Sequence, residues 1–183
     1  MDREQMIIGL YSPAPQSGKS EVARELGKYG FIRKGFADAL KAMIRPLLVT
    51  FGYDHETTER MLYGDLKEHV LPELGVTPRY LAQTVGTEWG RELVDRDIWL
   101  KAVLNDSRPD MLIIDDVRFP NEYLAIRKEG GQVWKVYRPG QEPTNSHPSE
   151  GLLEDREFDE VIVNDGSLYE LASKVRLALS GPY

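Results

Sequence analysis

Ser17-Gly18-Lys19-Ser20 stands between a short apolar run, Met6 to Leu10, and a stretch in which Val22, Ala23 and Leu26 recur at helical spacing. Strand, small-residue loop, helix is the order in which backbone N–H groups at a helix start can cradle phosphates, and it commits the beginning of the chain to a βα unit. In such a loop Lys19 reaches the β and γ groups of a nucleoside triphosphate and Ser20 ligates Mg²⁺, with Ser17 and Gly18 shaping the cradle. The full pattern has glycine at position 13, where this chain has Pro13. A bare S-G-K-S is equally compatible with an ordinary turn carrying a solvated lysine, so the rest of the chain has to decide.

The remainder repeats the alternation. Phe31 to Phe36 reads as a second short strand, and Leu40, Met43, Ile44, Leu47, Leu48 and Phe51 mark an amphipathic helix that Pro46 should kink. The polar stretch from Tyr53 to Gly75 suggests mobile short helices or loops. Thr77 and Pro78 form an N-cap and first turn, with an apolar stripe of Leu81, Val85 and Trp89. A further helix is expected from Asp97 to about residue 107. Met111 to Asp116 is short, apolar and β-branched, as a buried parallel strand is. Pro120 opens a helix that Gly130 and Gly131 close before a strand from Gln132 to Tyr137. After an irregular segment, Glu160 to Val163 and Leu168 to Leu179 supply a last strand and helix. This pattern predicts an α/β fold of the P-loop NTPase type, a parallel sheet of about five strands flanked by helices.

Composition narrows the function. The length of 183 residues and 41% hydrophobic content suit one compact domain with a substantial core. The absence of cysteine excludes disulfides, a thiolate nucleophile and cysteine-ligated zinc, and three scattered histidines do not make a metal cluster. With 30 acidic against 23 basic residues, the charge of −7 opposes broad attraction to nucleic acid or anionic membranes. The apolar part of the N-terminal segment is too short for a signal peptide or membrane span, so a cytoplasmic location is expected.

Three further features carry chemistry. Asp115 and Asp116 end the buried strand, where open α/β sheets place ligands, and one of them should hold Mg²⁺ through its waters; the bland alternative, capping of the turn after the strand, suits one of them better than both. On the helix from Pro78, Arg79, Gln83 and Thr87 fall at i, i+4 and i+8 and share a face, which suits a phosphate and a base edge or, more blandly, a solvated surface. Trp89 and Trp99 read more readily as core than as stacking platforms, with Trp99 kept among the candidate substrate-binding residues. His147 reads as a loop residue, since transfer between phosphates depends on positioning and charge more than proton abstraction.

The strings SGKS at 17–20, FADALK at 36–41, TPRYLAQTVGTEWGR at 77–91, DDVRFPNE at 115–122, HPSE at 147–150 and VIVNDGSL at 161–168 resemble, in order, those of the phage-type deoxynucleoside monophosphate kinases. The resemblance implies ATP and Mg²⁺ at Lys19 and Ser20, and an acceptor phosphate held by Lys41 and Arg79. It implies an acceptor pocket shaped by Gln83, Thr87 and Arg91, a transferring group steadied by Arg118, and Asp116 as the better-placed acid. Asn164 would sit near the adenine. A helical acceptor-binding region over 37–107 and a lid over 138–157, edged by Arg138 and Glu150, complete the expected single kinase domain. The implied partner is a small-molecule deoxynucleoside monophosphate, not nucleic acid or membrane, and nothing in the sequence excludes a homodimer. Rival readings are a phosphomevalonate kinase-like enzyme, a kinase of modified bases in DNA, and a catalytically silent nucleotide-binding module.

Overall fold

The computed structural model describes residues 5–105, 108–141 and 152–181. Contacts divide the chain into two compact units, one made of Met1–Gly35 with Asp106–Tyr183 and the other of Phe36–Asn105.

The first unit is built on five parallel strands in the order β2-β3-β1-β4-β5: β1 Met6–Tyr11, β2 Ile32–Lys34, β3 Met111–Val117, β4 Gln132–Tyr137 and β5 Glu160–Val163. Parallel strands need crossovers: helix α1 Lys19–Gly27 links β1 to β2 and α6 Pro120–Lys128 links β3 to β4, while α7 Leu168–Leu179 follows β5 as the last element. On one face Ile8, Leu10, Ile113, Trp134 and Val136 pack against Val22 and Leu26 of α1 and Leu171 and Val175 of α7. Each such fully buried aliphatic side chain contributes about 1.5–3 kcal/mol relative to exposure. On the other face α6 approaches so closely that a β-carbon at Gly9 would lie 2.6 Å from Ile126 and 3.0 Å from Val117. Order, direction and two-sided cover make this a P-loop NTPase-type α/β fold.

The second unit is helical: α2 Phe36–Thr50, α3 His55–Tyr63, a 3₁₀ turn Asp65–Glu68, α4 Pro78–Thr84, a π-helix Val85–Val94 and α5 Ile98–Val103. α2 begins four residues before the first apolar position of the expected stripe and runs on through Pro46 to Thr50, whose hydroxyl donates to the Pro46 carbonyl at 2.8 Å. The strand expected over 31–36 shortens to three residues because α2 already starts at Phe36. The helix expected from Asp97 to about 107 ends at Val103. One α-helix was expected from Pro78 through the Trp89 region; the α-helix instead ends at Thr84 and the chain continues as a π-helix. Gly86 and Gly90 are buried, Leu81 and Val85 half-buried and Trp89 exposed, so the expected Leu81, Val85, Trp89 stripe does not pack inward along its whole length.

Candidate functional site

β1 runs into a loop over residues 12–18. Ser12 Oγ donates to the Ala14 carbonyl at 2.8 Å and accepts from the Ala14 N–H at 3.3 Å, closing a tight turn around a buried Pro13. Proline fits there because its φ is preset for a turn. Gln16 at φ 56° and Gly18 at φ 101° then occupy the left-handed region, and residues of this kind in a turn gather successive N–H groups into an anion-binding concavity. Glu21 and Val22 donate to the Gly18 carbonyl at 3.0 Å, which starts α1 at Lys19 with the positive end of its dipole on the loop. A cavity of about 590 Å³ opens at this point, and Ser17, Gly18, Lys19, Ser20, Arg138 and Asn164 all line it.

Asn164 sits against the loop itself. Its side-chain amide donates to the Ser17 carbonyl at 2.9 Å, while its backbone N–H donates to Tyr137 O at 2.7 Å at the end of the β4–β5 ladder. A β-carbon at Gly18 would stand 2.5 Å from the Asn164 amide nitrogen, so glycine is required there both by φ and by this close approach. Next to it, the Lys174 ammonium hydrogen-bonds Asp165 and holds that carboxyl below the usual carboxylate range. The Ser167–Glu170 capping box starts α7, and the Ser167 N–H lowers the Glu170 carboxyl likewise. The turn carrying Asn164 is therefore pinned on both sides.

Asp115 and Asp116 lie at the carboxyl end of β3, beside β1. Gly9 pairs with Ile114 but Tyr11 pairs with Val117, so the two aspartates stand opposite the single Leu10 in a bulge. A bulge of this kind re-aims side chains that regular alternation would send to opposite faces. Arg33 of β2 pairs with Asp115 Oδ2 at 2.6 Å, leaving Asp115 Oδ1 buried with no hydrogen-bond partner. The exposed Arg118 follows in a turn held by Glu122, whose buried carboxylate accepts from the N–H groups of Arg118 at 2.7 Å and Phe119 at 3.0 Å. Sequence reasoning missed Arg33, Glu122 and Gln16. Only Glu122 carried a local signal, as the third residue of a helix opened by Pro120.

In the second unit Lys41 lies 4.1 Å from the ring centre of Tyr63, a cation–π contact. Thr77 Oγ1 accepts from Tyr80 N–H at 3.1 Å and caps α4, and Arg79 in the first turn is exposed and ion-paired with Glu68. Gln83 is one turn on and exposed; Thr87 and Arg91 lie beyond the change to π geometry, so the i, i+4, i+8 face expected for Arg79, Gln83 and Thr87 does not continue unbroken. Trp99 is 3% exposed, with its indole N–H donating to the Gly86 carbonyl at 2.8 Å; it is a core residue here, not an open stacking surface. Glu150, His147 and half of the expected lid, residues 142–151, lie outside the described residues. Glu154, near the end of the lid range, accepts from Tyr11 at 2.8 Å, and Phe158, just after that range, stacks on Tyr11 at 5.3 Å, which anchors the return of the chain to the end of β1.

Among the described residues no three His, Asp or Glu side chains form a metal cage, and no helix is long and apolar enough to cross a membrane. A family model for deoxynucleotide monophosphate kinases matches residues 34–175. A deoxynucleotide monophosphate kinase homologue of Acanthamoeba polyphaga mimivirus is 30% identical, the match covering 93% of this chain and 94% of that one. The deoxynucleotide monophosphate kinase of Enterobacteria phage T4 is 39% identical over 55% of this chain and 44% of its own length. Among solved structures, TT1252 from Thermus thermophilus shares the fold, with a TM-score of 0.52 at 20% identity over 97% of both chains.

Proposed function

The chain belongs to the deoxynucleotide monophosphate kinase family, and on that premise we propose that it transfers the γ-phosphoryl group of ATP to the phosphate of a deoxynucleoside monophosphate. The observation that carries the reading is the cavity where the loop of Gln16 and Gly18 meets the start of α1 and the Lys19 side chain. An oxygen of the acceptor phosphate attacks the γ-phosphorus as the bond to the β-bridging oxygen breaks, so a diphosphate and ADP result without a covalent enzyme intermediate. No hydroxyl has to be deprotonated. Catalysis then consists of placing two anions in line and offsetting the charge on the group between them.

Lys19 and the loop N–H groups bind the triphosphate, Arg138 and Asn164 complete its side of the cavity, and Arg118 steadies the transferring group. Lys41 and Arg79 bind the acceptor phosphate, with Gln83, Thr87, Arg91 and Glu150 shaping its pocket. A hydroxyl and carboxylates are the donors that Mg²⁺ takes, and the buried, unpartnered Asp115 Oδ1 is the kind of oxygen such a hydrated ion satisfies. Ser20, Asp115 and Asp116 would hold it, Asp116 foremost on the resemblance of its Asp-Val-Arg string to that of the family. Held by these residues, Mg²⁺ would supply charge neutralisation to the phosphate groups.

The deciding experiment is ADP release from ATP over a panel of deoxynucleoside and ribonucleoside monophosphates, with phosphomevalonate and base-modified duplex DNA as additional acceptors. Turnover with at least one deoxynucleoside monophosphate is expected. Turnover confined to the other acceptors, or ATP binding without turnover on any, overturns the reading.

A further inference from the structure

The π-helix Val85–Val94 is the least ordinary element of the chain. Such helices are rare, mostly single turns, and this one extends over ten residues directly after an α-helix. Nothing in the intrinsic preferences of Val-Gly-Thr-Glu-Trp-Gly-Arg-Glu-Leu-Val asks for an i→i+5 register, so something outside the segment has to hold it. Its end is defined by the Asp95 N–H donating to Gly90 O at 2.9 Å, a five-residue step.

Trp99, in α5, meets the segment at Gly86 and Gly90, and its ring lies 6.4 Å from that of Trp89. Its indole N–H donates to Gly86 O at 2.8 Å, and its ring fills the space a side chain at Gly90 would need, since a β-carbon there would lie 2.6 Å from Trp99 Cζ2. The same β-carbon would lie 2.8 Å from Val85 O, so any other residue at position 90 would collide both with the ring and with the helix's own backbone. The Gly86 carbonyl has a second donor, Arg91 Nη1 at 3.3 Å. One carbonyl can accept two hydrogen bonds, and here it joins a buried indole to a half-buried guanidinium. Because an i→i+5 turn contains more residues than an i→i+4 turn, a return to α geometry would rotate Arg91 away from its present direction.

We propose that Trp99 is a positioning residue for the acceptor site: it locks the π register through Gly86 and Gly90 and so fixes the aim of Arg91 toward the deoxynucleoside monophosphate. This rests on the acceptor role given to Arg91 above. Trp99 touches no substrate itself, and its influence passes through the shared Gly86 carbonyl.

The test is Trp99→Phe, which keeps an aromatic ring and removes the N–H, assayed with Arg91→Lys and the double variant. Wild-type turnover with deoxynucleoside monophosphates comes first, because its failure would sink the acceptor reading and not the lock. Given that turnover, Trp99→Phe is expected to raise the acceptor KM roughly 10-fold with the KM for ATP within about twofold of wild type. The double variant should be no worse than the poorer single one, as for residues acting through one contact. A purely structural role would instead lower kcat through lost active protein and leave both KM values alone, and that outcome, or fully additive effects, overturns the proposal. Should Trp99→Phe fail to fold, the indole N–H resonance of Trp99 in the wild-type protein serves: it should shift when the monophosphate is added without ATP, and its constancy at saturation overturns the proposal.

Discussion

Lys19 is the first residue of α1 and lines the cavity that Gly18 and Asn164 bound. A cation aimed at a transferring phosphoryl group stabilises the transition state more than the ground state, so Lys19→Ala should lower kcat by at least about 100-fold in a protein that still folds. Steady-state kinetics beside a circular dichroism spectrum check this; turnover within a few-fold of wild type would remove Lys19 from the mechanism. Asp115 and Asp116 differ in a way that spacing could not reveal, because the bulge opposite Leu10 and the partner Arg33 come from other strands. The resemblance of the Asp116-Val117-Arg118 string to that of the family assigns the cation chiefly to Asp116. Asp116→Asn should therefore raise the Mg²⁺ concentration for half-maximal activity by roughly 10-fold, and Asp115→Asn by less, since each factor of ten corresponds to about 1.4 kcal/mol of lost binding. A larger effect at Asp115 would reverse the assignment.

Elements whose identity rests on local periodicity were legible from the sequence. β4, β5 and α7 begin and end at the expected bounds, Gln132–Tyr137, Glu160–Val163 and Leu168–Leu179. The π-helix was not legible, because a buried tryptophan thirteen residues after Gly86 imposes it and 3.6-residue periodicity is the only pattern a single segment displays. The same limit hid Arg33, which meets Asp115 across 82 positions, whereas Glu122 had a local signal, its partners being backbone N–H groups three and four residues before it. The SGKS loop was legible as the strand-to-helix turn that opens α1, while the Asn164 tie to Ser17 spans 147 positions and could not be. At the start of α4 the expected cap is present, and it supports a prediction. Thr77→Ala removes the acceptor for the Tyr80 N–H and should cost about 1 kcal/mol of stability in denaturant titration. Arg79→Ala, one turn away and exposed, should leave stability within about 0.5 kcal/mol but raise the acceptor KM roughly 10-fold or more, because its pair with Glu68 is a surface contact of little worth. If Arg79→Ala instead weakened ATP and left the acceptor KM unchanged, the two nucleotides would have been assigned to the wrong residues.

At the scale of the whole chain, a net charge of −7 has to accommodate a polyanionic ligand, so binding must come from a local concentration of N–H groups and cations rather than from a general field. The loop at Gln16–Gly18, the start of α1, Lys19 and Arg138 provide that concentration in one cavity. A ligand bound only by folded protein stabilises it by about 2.7 kcal/mol at a concentration of 100 times its dissociation constant. For a chain of this length each kcal/mol raises the melting temperature by about 2–4 °C, so saturating ATP with Mg²⁺ should raise Tm by roughly 5–10 °C. The reading chromophore can be Trp134, which is buried between β1 and β5 in the unit that holds the cavity. Chelating Mg²⁺ should leave a smaller shift, because phosphate oxygens then face the carboxylates of Asp115 and Asp116 without an intervening cation. Lys19→Ala should lose most of it. The acceptor alone should give a shift that survives Lys19→Ala, since its phosphate is assigned to Lys41 and Arg79. An ATP shift that persisted undiminished in Lys19→Ala and under chelation would mean that the triphosphate binds elsewhere on the chain.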